Sequence, residues 1–239
     1  MIRVFAVILL AVVLSSFGSF AQLNKGLIAH YPLNEGGGTI IVDKTRFNNG
    51  TLNNTALSST SGWNLRKGIV LDGVNDNIQM GKSNISAMSA MTSMTASCWV
   101  KFNSTTLGSA GAGFVSKWVT PSSSGFILRA VFFEYRFSIL IGGVAFTGAY
   151  PFTLDLEWHH IVGVYNGANV YCYVDGKLGS TIATASGTIG YNSATTLKIG
   201  SYQLSNDYLN GSINNVMIWD RALSATEVRQ LYVKQYNKR

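Results

Sequence analysis

Short apolar runs alternate with polar positions along most of the chain after residue 22. The runs are rich in Val, Ile, Tyr, Phe and Trp, and clusters of Gly, Asn, Asp and Ser separate them, which is typical of β-strands joined by turns. Clear examples are TASCWVKF, GFILRAVFF, WHHIVGVYN and NVYCYVDG. Dipeptides such as Asn166-Gly167 and Asp175-Gly176 supply the positive φ of tight hairpin turns. About eleven such strands with no helix between them predict an all-β antiparallel sandwich or jelly roll.

The last part of the chain has a helical pattern instead. Ser224 and Glu227 have the spacing of a capping box, in which each side chain binds the other residue's backbone N–H. Val228, Leu231 and Tyr232 then form an apolar stripe with helical spacing. We therefore expect a short C-terminal helix that packs against the sandwich.

The first 21 residues have the pattern of a secretory signal peptide. Arg3 precedes an unbroken apolar run of eleven residues, Val4 to Leu14, and a small-x-small cleavage site ends at Ala21. The run is too short to span a membrane, and no second long apolar run follows. The sequence thus predicts cleavage near Ala21, an extracellular location, no membrane span in the mature chain, and a single domain over residues 22–239.

Charge argues against a nucleic-acid partner. The chain has 18 basic and 11 acidic residues, and the predicted cleavage removes one of the basic residues, Arg3. Apart from a short C-terminal group the remaining basic residues are scattered, whereas a nucleic-acid binder clusters them on one face or helix.

Two histidines stand side by side in the run WHHIVGVY. Residues alternate between the two faces of a strand, so Trp158, His160 and Val162 share one face. His159 and Ile161 share the other face. The two imidazoles therefore cannot bind one metal ion, and this stretch is interpreted as part of the sandwich wall. Each of the two cysteines, Cys98 and Cys172, lies in a strand-like run at an inward position, and the sequence leaves their pairing open.

Few features of the sequence indicate catalysis. Asp155 and Glu157 have the alternate spacing that sandwich-fold glycosidases use for a carboxylate pair, but they lie in the turn before Trp158. Asp72 and Asp175 precede glycines and are interpreted as turn formers. Neither a Gly-x-Ser-x-Gly nucleophile motif nor a phosphate-binding loop occurs. We predict a protein without catalytic residues.

The order of the segments GLIAHYPLNEGGGTIIVDKTRFNNGTL, VLDGVNDNIQMG, MTASCWVKF, EWHHIVGVYNG, VYCYVDGKLGS and LNGSINNVMIWDRALSATEVRQLY resembles the laminin-G-like, concanavalin A-like jelly-roll family. The resemblance implies a two-sheet antiparallel sandwich. It also implies, in many members, one calcium ion at the rim. By position its ligands match Asp43 and Asn214, with Asn48 assisting. An amide at 214 contributes no charge, so a calcium ion at this rim is a hypothesis in which binding is weak. The alternative is that Asp43 only caps its own turn.

The resemblance and the aromatic residues near loops indicate a secreted binding module for a glycan or for a cell-surface or extracellular protein. Aromatic rings stack on sugars, and nearby amides and carboxylates bind the hydroxyls. The candidate ligand-binding residues are Tyr202, Asn206, Asp207, Tyr208, Trp63 and Trp118. Carbohydrate binding or adhesion is the first interpretation, a protein-interaction or structural module is the alternative, and a glycoside hydrolase or lyase on the same fold is a third.

Overall fold

The computed structural model describes residues 22–46, 48–53, 62–64, 68–80, 88, 90–107, 111–119, 124–190, 195–202 and 207–237. Within these residues the chain forms short antiparallel strands and a C-terminal helix. The elements are β1 (Leu27–Tyr31), β2 (Ile40–Ile41), β3 (Gly50–Asn53), β4 (Gly62–Asn64), β5 (Gly68–Asp72), β6 (Asn77–Met80), β7 (Met94–Phe102), β8 (Ala112–Val119), β9 (Ser124–Val131), β10 (Glu134–Ile141), β11 (Val144–Pro151), β12 (His159–Tyr165), β13 (Asn169–Val174), β14 (Lys177–Leu178), β15 (Ala183–Thr184), β16 (Lys198–Ile199), β17 (Asn210–Trp219) and α1 (Ala225–Tyr236).

The strands form two sheets. Among the described residues, sheet A has nine strands in the order β14-β13-β12-β7-β17-β5-β4, with β1 paired to β17 and β15 paired to β13. Sheet B has eight strands in the order β11-β10-β9-β8-β16-β6-β3-β2. This architecture confirms the predicted two-sheet antiparallel sandwich with a short C-terminal helix.

The main core lies between the inner faces of the two sheets. Alternate residues of each strand point into it, and large side chains such as Phe114, Phe137 and Tyr165 are fully buried there. Cys98 and Cys172 belong to this core as free cysteines. They lie on β7 and β13, which β12 separates, so their backbones are about two strand spacings, ~10 Å, apart. That separation exceeds the reach of a disulfide bond.

Helix α1 packs on the outer face of sheet A. The Ser224 hydroxyl accepts a hydrogen bond from the Glu227 N–H at 3.2 Å, and the Glu227 carboxylate accepts one from the Ser224 N–H at 2.8 Å. The capping box predicted from the sequence is therefore present. Val228 and Leu231 pack with Trp219 of β17 in a second apolar cluster that includes residues of β12.

Strand β12 separates the two histidines as predicted. His160 faces α1, where its ring lies 5.2 Å from that of Trp99 and 6.2 Å from that of Tyr232. His159 lies on the opposite side, with its ring 6.3 Å from that of Tyr135 on sheet B. The imidazoles therefore belong to different environments, and only that of His159 adjoins a surface hollow, described below.

The hairpin between β9 and β10 differs from the sequence interpretation, which continued the strand through Phe133. Strand β9 ends at Val131, and Phe132 and Phe133 form a two-residue turn with φ of 52° and 59°. Positive φ is unfavourable for a bulky side chain, and Asn-Gly is the usual choice for such a turn. The run of apolar residues concealed the turn because no Gly, Asn or Asp marks it. Both rings are exposed, by 72% for Phe132 and 64% for Phe133.

Candidate functional site

Asp43, the predicted first calcium ligand, is 1% exposed and organises its own loop. Its Oδ1 accepts the N–H groups of His30 and Thr45, each at 3.0 Å. Its Oδ2 accepts the Thr45 hydroxyl at 2.7 Å and the Asn48 N–H at 3.2 Å. A carboxylate offers about four lone-pair positions, so these four hydrogen bonds already use the acceptor capacity of Asp43.

The other two predicted calcium ligands divide between two hollows. Asn48 lies beside Asp43 in a hollow of about 310 Å³, which Arg46 also lines, while Asn214 lines a different hollow next to α1. Throughout the described residues, no group of three or more His, Cys, Asp and Glu side chains is placed to hold a metal ion. The Asp43 carboxylate already accepts four hydrogen bonds, and the positively charged Arg46 lines the same hollow. These residues as arranged therefore do not fit a calcium ion. Calcium binding stays a prediction.

The predicted aromatic patch is only partly brought together. The rings of Trp118 and Tyr202 meet edge-on at 6.3 Å, and the Arg129 guanidinium lies 5.9 Å from the Tyr202 ring centre. Trp118 is only 7% exposed, so its ring offers little surface to a ligand as placed. Its Nε1 has no hydrogen-bond partner among the described atoms. Asp207 is also buried, and burial raises the pKa of its carboxyl group.

The other three predicted ligand-binding residues are Tyr208, Asn206 and Trp63. Tyr208 is half-buried. Asn206 and the side chain of Trp63 lie outside the described residues. The ligand-binding role of the whole set stays a prediction.

A different hollow, of about 230 Å³, combines aromatic rings with charged groups. It lies where the β9–β10 hairpin, the β11–β12 loop and the β13–β14 turn meet at one end of the sandwich; the Phe152 N–H bonds the Phe133 carbonyl at 3.0 Å there. We call it the His159 hollow, and the lining residues that matter below are Tyr135, Tyr150, Phe152, Asp155, His159, Asp175 and Lys177.

Asp175 joins two of these segments. It is the first residue of the β13–β14 turn, with φ of 50°, followed by Gly176 with φ of 75°. Its Oδ1 accepts the His160 N–H at 2.9 Å, while Oδ2 lies 2.7 Å from Nδ1 of His159. The turn former recognised in the sequence is therefore also the anchor of the His159 ring.

His159 lies between two carboxylates. Besides the contact with Asp175, its Nε2 lies 3.0 Å from Oδ1 of Asp155. A neutral imidazole has one N–H donor, and two carboxylate acceptors require two, so this geometry selects the imidazolium. The hydrogen bond to Asp175 raises the pKa of His159, with the Asp155 bond and both negative charges adding to the effect against the opposing effect of burial.

Aromatic rings form the apolar wall of the hollow. Tyr135 and Phe152 stack with ring centres 4.0 Å apart, and Phe102 stacks behind both at 6.4 Å and 6.3 Å. Tyr135 is only 2% exposed, so the ring surface open to a ligand is that of Phe152 and Tyr150, which are half-buried. A ring surface beside carboxylates, an imidazolium and the exposed amine of Lys177 suits a ligand with both C–H faces and hydroxyl groups.

Asp155 and Glu157, interpreted from the sequence as turn residues, have a structural role in this region. Asp155 Oδ1 accepts the Glu157 N–H at 3.0 Å and also contacts His159. Asp155 thus caps its turn, as the sequence analysis expected. The hollow itself was not predicted, because the three segments that build it are distant in sequence. The one available signal was the position of two tyrosines, Tyr135 and Tyr150, near loops.

A family model for the concanavalin A-like lectin/glucanases superfamily matches residues 72–229. The chain belongs to this superfamily. The match starts at the end of β5 and runs into α1, so it includes the whole His159 hollow. It confirms the family resemblance read from the sequence. Among curated proteins, none matches the chain significantly.

Solved structures with the same fold are distant in sequence. The receptor binding domain of botulinum neurotoxin D is 13% identical with a TM-score of 0.69, over 89% of this chain and 54% of that one. The serotype D ligand binding domain in complex with N-acetylneuraminic acid is 13% identical with a TM-score of 0.70, over 91% and 53%. This chain therefore spans about half the length of these neurotoxin chains.

A third similar structure matches over almost its full length. Domain 4 of a GH43 extracellular arabinanase from Geobacillus stearothermophilus, in complex with arabinotriose, is 16% identical with a TM-score of 0.61. The match covers 86% of this chain and 98% of that domain. At these identities the likeness establishes the fold. Separately, no helix among the described residues is long and apolar enough to cross a membrane.

Proposed function

We propose that this chain is a secreted, non-catalytic carbohydrate-binding module and that the His159 hollow holds a sugar unit. The observation that carries the proposal is the pair of half-buried rings Phe152 and Tyr150, which line the hollow beside the charged groups Asp155, Asp175 and Lys177. Two proteins of the same fold, at low identity, have been solved with sugars bound, N-acetylneuraminic acid in one and arabinotriose in the other. That likeness supports a sugar as the ligand, and the His159 hollow supports the position of the binding site.

The hollow matches one sugar residue in size and chemistry. Its volume of about 230 Å³ is slightly below the range of drug-sized pockets, which begins at ~300 Å³. The rings offer flat apolar surface, and Lys177 and the exposed oxygens of Asp155 offer a donor and acceptors for hydroxyls.

Binding is tested by measuring the exported chain, Gln22 to Arg239, on a broad glycan and polysaccharide panel, in calcium and in chelator. Tyr150→Ala removes a half-buried ring at the hollow and is expected to weaken binding of the best ligand about two- to twelvefold, since an aromatic contact contributes about 0.5–1.5 kcal/mol. Tyr236→Ala is the matched control, because Tyr236 is a 60% exposed tyrosine on α1.

Equal effects of the two substitutions would move the sugar away from the His159 hollow. Tyr202→Ala belongs in the same panel, because Tyr202 and its predicted partners Trp118 and Asp207 are the alternative sugar site. Binding that needs calcium and is lost in Asp43→Asn would favour the rim around Asp43 instead. A protein that binds no glycan in either buffer would refute the proposed function.

A protein-interaction module is the second candidate, and the exposed Phe132–Phe133 tip favours it. Two exposed rings in a conformation unfavourable for phenylalanine suggest a contact that compensates for both costs. A stable protein partner that is lost in the Phe132→Ser, Phe133→Ser double variant, together with no glycan binding, would support this candidate. Sugar release that disappears in Glu157→Gln would instead revive a glycan-active enzyme.

A further inference from the structure

Arg129 is a half-buried arginine on the outer face of sheet B. Its neighbours Leu128 and Ala130 point into the main core, so alternation along β9 places the Arg129 side chain on the opposite face. The Nε atom of Arg129 is buried and has no hydrogen-bond partner. None of the ion pairs between described residues includes Arg129. A charged group that is withdrawn from water without such a partner costs free energy.

A second arginine lies directly opposite the first. Arg136 of β10 pairs with Arg129 of β9, and both side chains lie on the outer face because Tyr135 and Phe137 point into the core. Like charges at directly opposite positions destabilise a sheet. Glu134 neutralises Arg136, whose Nη2 and Nε lie 2.6 Å and 2.7 Å from the Glu134 Oε2 atom. The excess positive charge of the pair therefore lies on Arg129.

The backbone of Ser201 and Tyr202 lies on the other side of Arg129. The guanidinium carbon of Arg129 lies 5.9 Å from the centre of the Tyr202 ring. Gly113 of β8 pairs with Arg129, and a Cβ at Gly113 would come within 2.6 Å of the Ser201 carbonyl carbon. The glycine therefore lets this segment lie close to the sheet. We call Arg129, Arg136 and Tyr202 the arginine patch.

Asp207 is a carboxylate whose charge acts on Arg129. Burial and Arg136 lower the pKa of Arg129, while Tyr202 and Asp207 raise it. Asp207 is itself buried, and it forms no ion pair with Arg129 among the described contacts. Asp207 therefore reduces the positive potential at Arg129 but does not occupy its N–H donors.

Another donor on this face also has no acceptor. Trp118 packs edge-on against the Tyr202 ring and is 7% exposed, and its Nε1 has no hydrogen-bond partner among the described atoms. Buried N–H groups are nearly always hydrogen-bonded in folded proteins. The unpaired donors of Trp118 and Arg129, which both adjoin the Tyr202 ring, favour a ligand that is rich in oxygen atoms.

We propose that the arginine patch binds the carboxylate of an acidic polysaccharide, with Arg129 as the residue that contacts it. A planar guanidinium presents parallel N–H donors that match the two oxygens of a carboxylate. The Tyr202 ring beside it suits the C–H face of a sugar. The choice of a sugar rather than a peptide as the carrier of the carboxylate rests on the proposed function. None of the three patch residues lines the His159 hollow.

Three polyuronates, polygalacturonate, alginate and hyaluronate, are each compared with their methyl esters, which keep the sugar and remove the charge. Calorimetric titration of the exported chain is expected to show binding of at least one polyuronate about tenfold tighter than of its ester, since hydrogen bonds to charged groups are the stronger ones. Polyglutamate, which carries carboxylates without sugar, should bind no better than the ester.

Substitution of Arg129 tests its role. Arg129→Gln should remove the preference for the acid over the ester, and Arg129→Lys, which keeps the charge but not the planar donors, should restore only part of it. Arg229→Gln is the matched control, because it removes the same charge from an exposed arginine on α1, which packs on the other sheet. This control should retain the preference and so excludes non-specific attraction of a basic protein to a polyanion.

Unfolding in urea separates a binding role from a structural one. Because the Arg129 charge is half-buried without an ion pair, Arg129→Gln should leave the free energy of unfolding unchanged or raise it, and a lower value would overturn the proposal. Equal affinity for every acid and its ester, a preference that survives Arg129→Gln, or equally tight binding of polyglutamate would each overturn it as well. Tyr150→Ala should leave the preference intact, so failure of the His159 hollow and failure of the arginine patch are distinguishable.

Discussion

The His159 contacts predict that part of the stability of this protein is lost as the pH rises. The perturbation is deprotonation of His159, whose two ring nitrogens both contact carboxylates. The pKa of His159 in the folded protein lies above the ordinary value of 6.5. The contribution of the imidazolium is therefore complete below pH 6.5 and disappears as the pH rises through the raised folded pKa.

The magnitude follows from which hydrogen bond is lost. A neutral ring keeps one N–H, and the shorter, less exposed contact with Asp175 at 2.7 Å is the one expected to persist. The lost contact is with Asp155, whose side chain is 49% exposed. An ion pair that is this open to solvent contributes about 1 kcal/mol or less. We therefore expect the free energy of unfolding to fall by about 1 kcal/mol, or ~2–4 °C in melting temperature for a domain of this size.

The assay compares urea unfolding of the wild type and of His159→Gln between about pH 5.5 and pH 8.5, where linkage isolates groups that titrate in this window. Other groups titrate there as well. Burial lowers the pKa of Lys117 to about 8 and also lowers the pKa of His30, so both groups favour folding as the pH rises. Because both are present in the two proteins, they cancel in the difference.

The expected result is a stability difference between the two proteins that shrinks by about 1 kcal/mol over this range. Parallel curves would refute the reasoning, and so would an NMR titration that places the pKa of His159 at or below 6.5. A sugar that fills the His159 hollow and contacts Asp155 is expected to shift the same pKa, which links the stability measurement to the proposed function.

Two other predictions concern residues away from this hollow. Asp43→Asn is expected to lower the free energy of unfolding by about 2 kcal/mol even in chelator, because an amide cannot replace a carboxylate that accepts four hydrogen bonds; stabilisation by calcium in the wild type alone would instead support the calcium prediction. Phe132→Asn with Phe133→Gly is expected to raise it by about 1 kcal/mol, since Asn-Gly suits positive φ; an unchanged or lower value in urea unfolding would contradict this.

Much of the fold was predictable because its signals are local. The alternation in WHHIVGVY placed His159 and His160 on opposite faces, and the structure confirms it. The capping box of Ser224 and Glu227 was correct in both of its hydrogen bonds. These features depend on residues at most a few positions apart, so periodicity and spacing determine them.

The hollows depend on distant segments, and spacing alone could not predict them. Nothing near Asn214 in the sequence indicates that it lines the hollow next to α1 rather than the hollow around Asp43. Its position depends on a bulge in β17, where the register against β7 shifts between Asn214 and Met217, and on the packing of α1. Likewise, the two-residue turn at Phe132 and Phe133 follows from the pairing of β9 with β10 and contradicts local preference. Such disagreement between local preference and structure is where function is most often found.

Asp175 shows why a residue assigned to a structural role can still belong to a binding site. The Asp175-Gly176 pair explains the turn, because both residues have positive φ. The turn alone does not require the Asp175 side chain to make further contacts. The carboxylate nevertheless bonds both the backbone of His160 and the ring of His159. It therefore sets the charge and orientation of a partly exposed ring, next to the half-buried rings of Phe152 and Tyr150. Turn formation explains why an aspartate stands at position 175. The positive charge that Asp175 stabilises on the His159 ring contributes to the chemistry of the hollow.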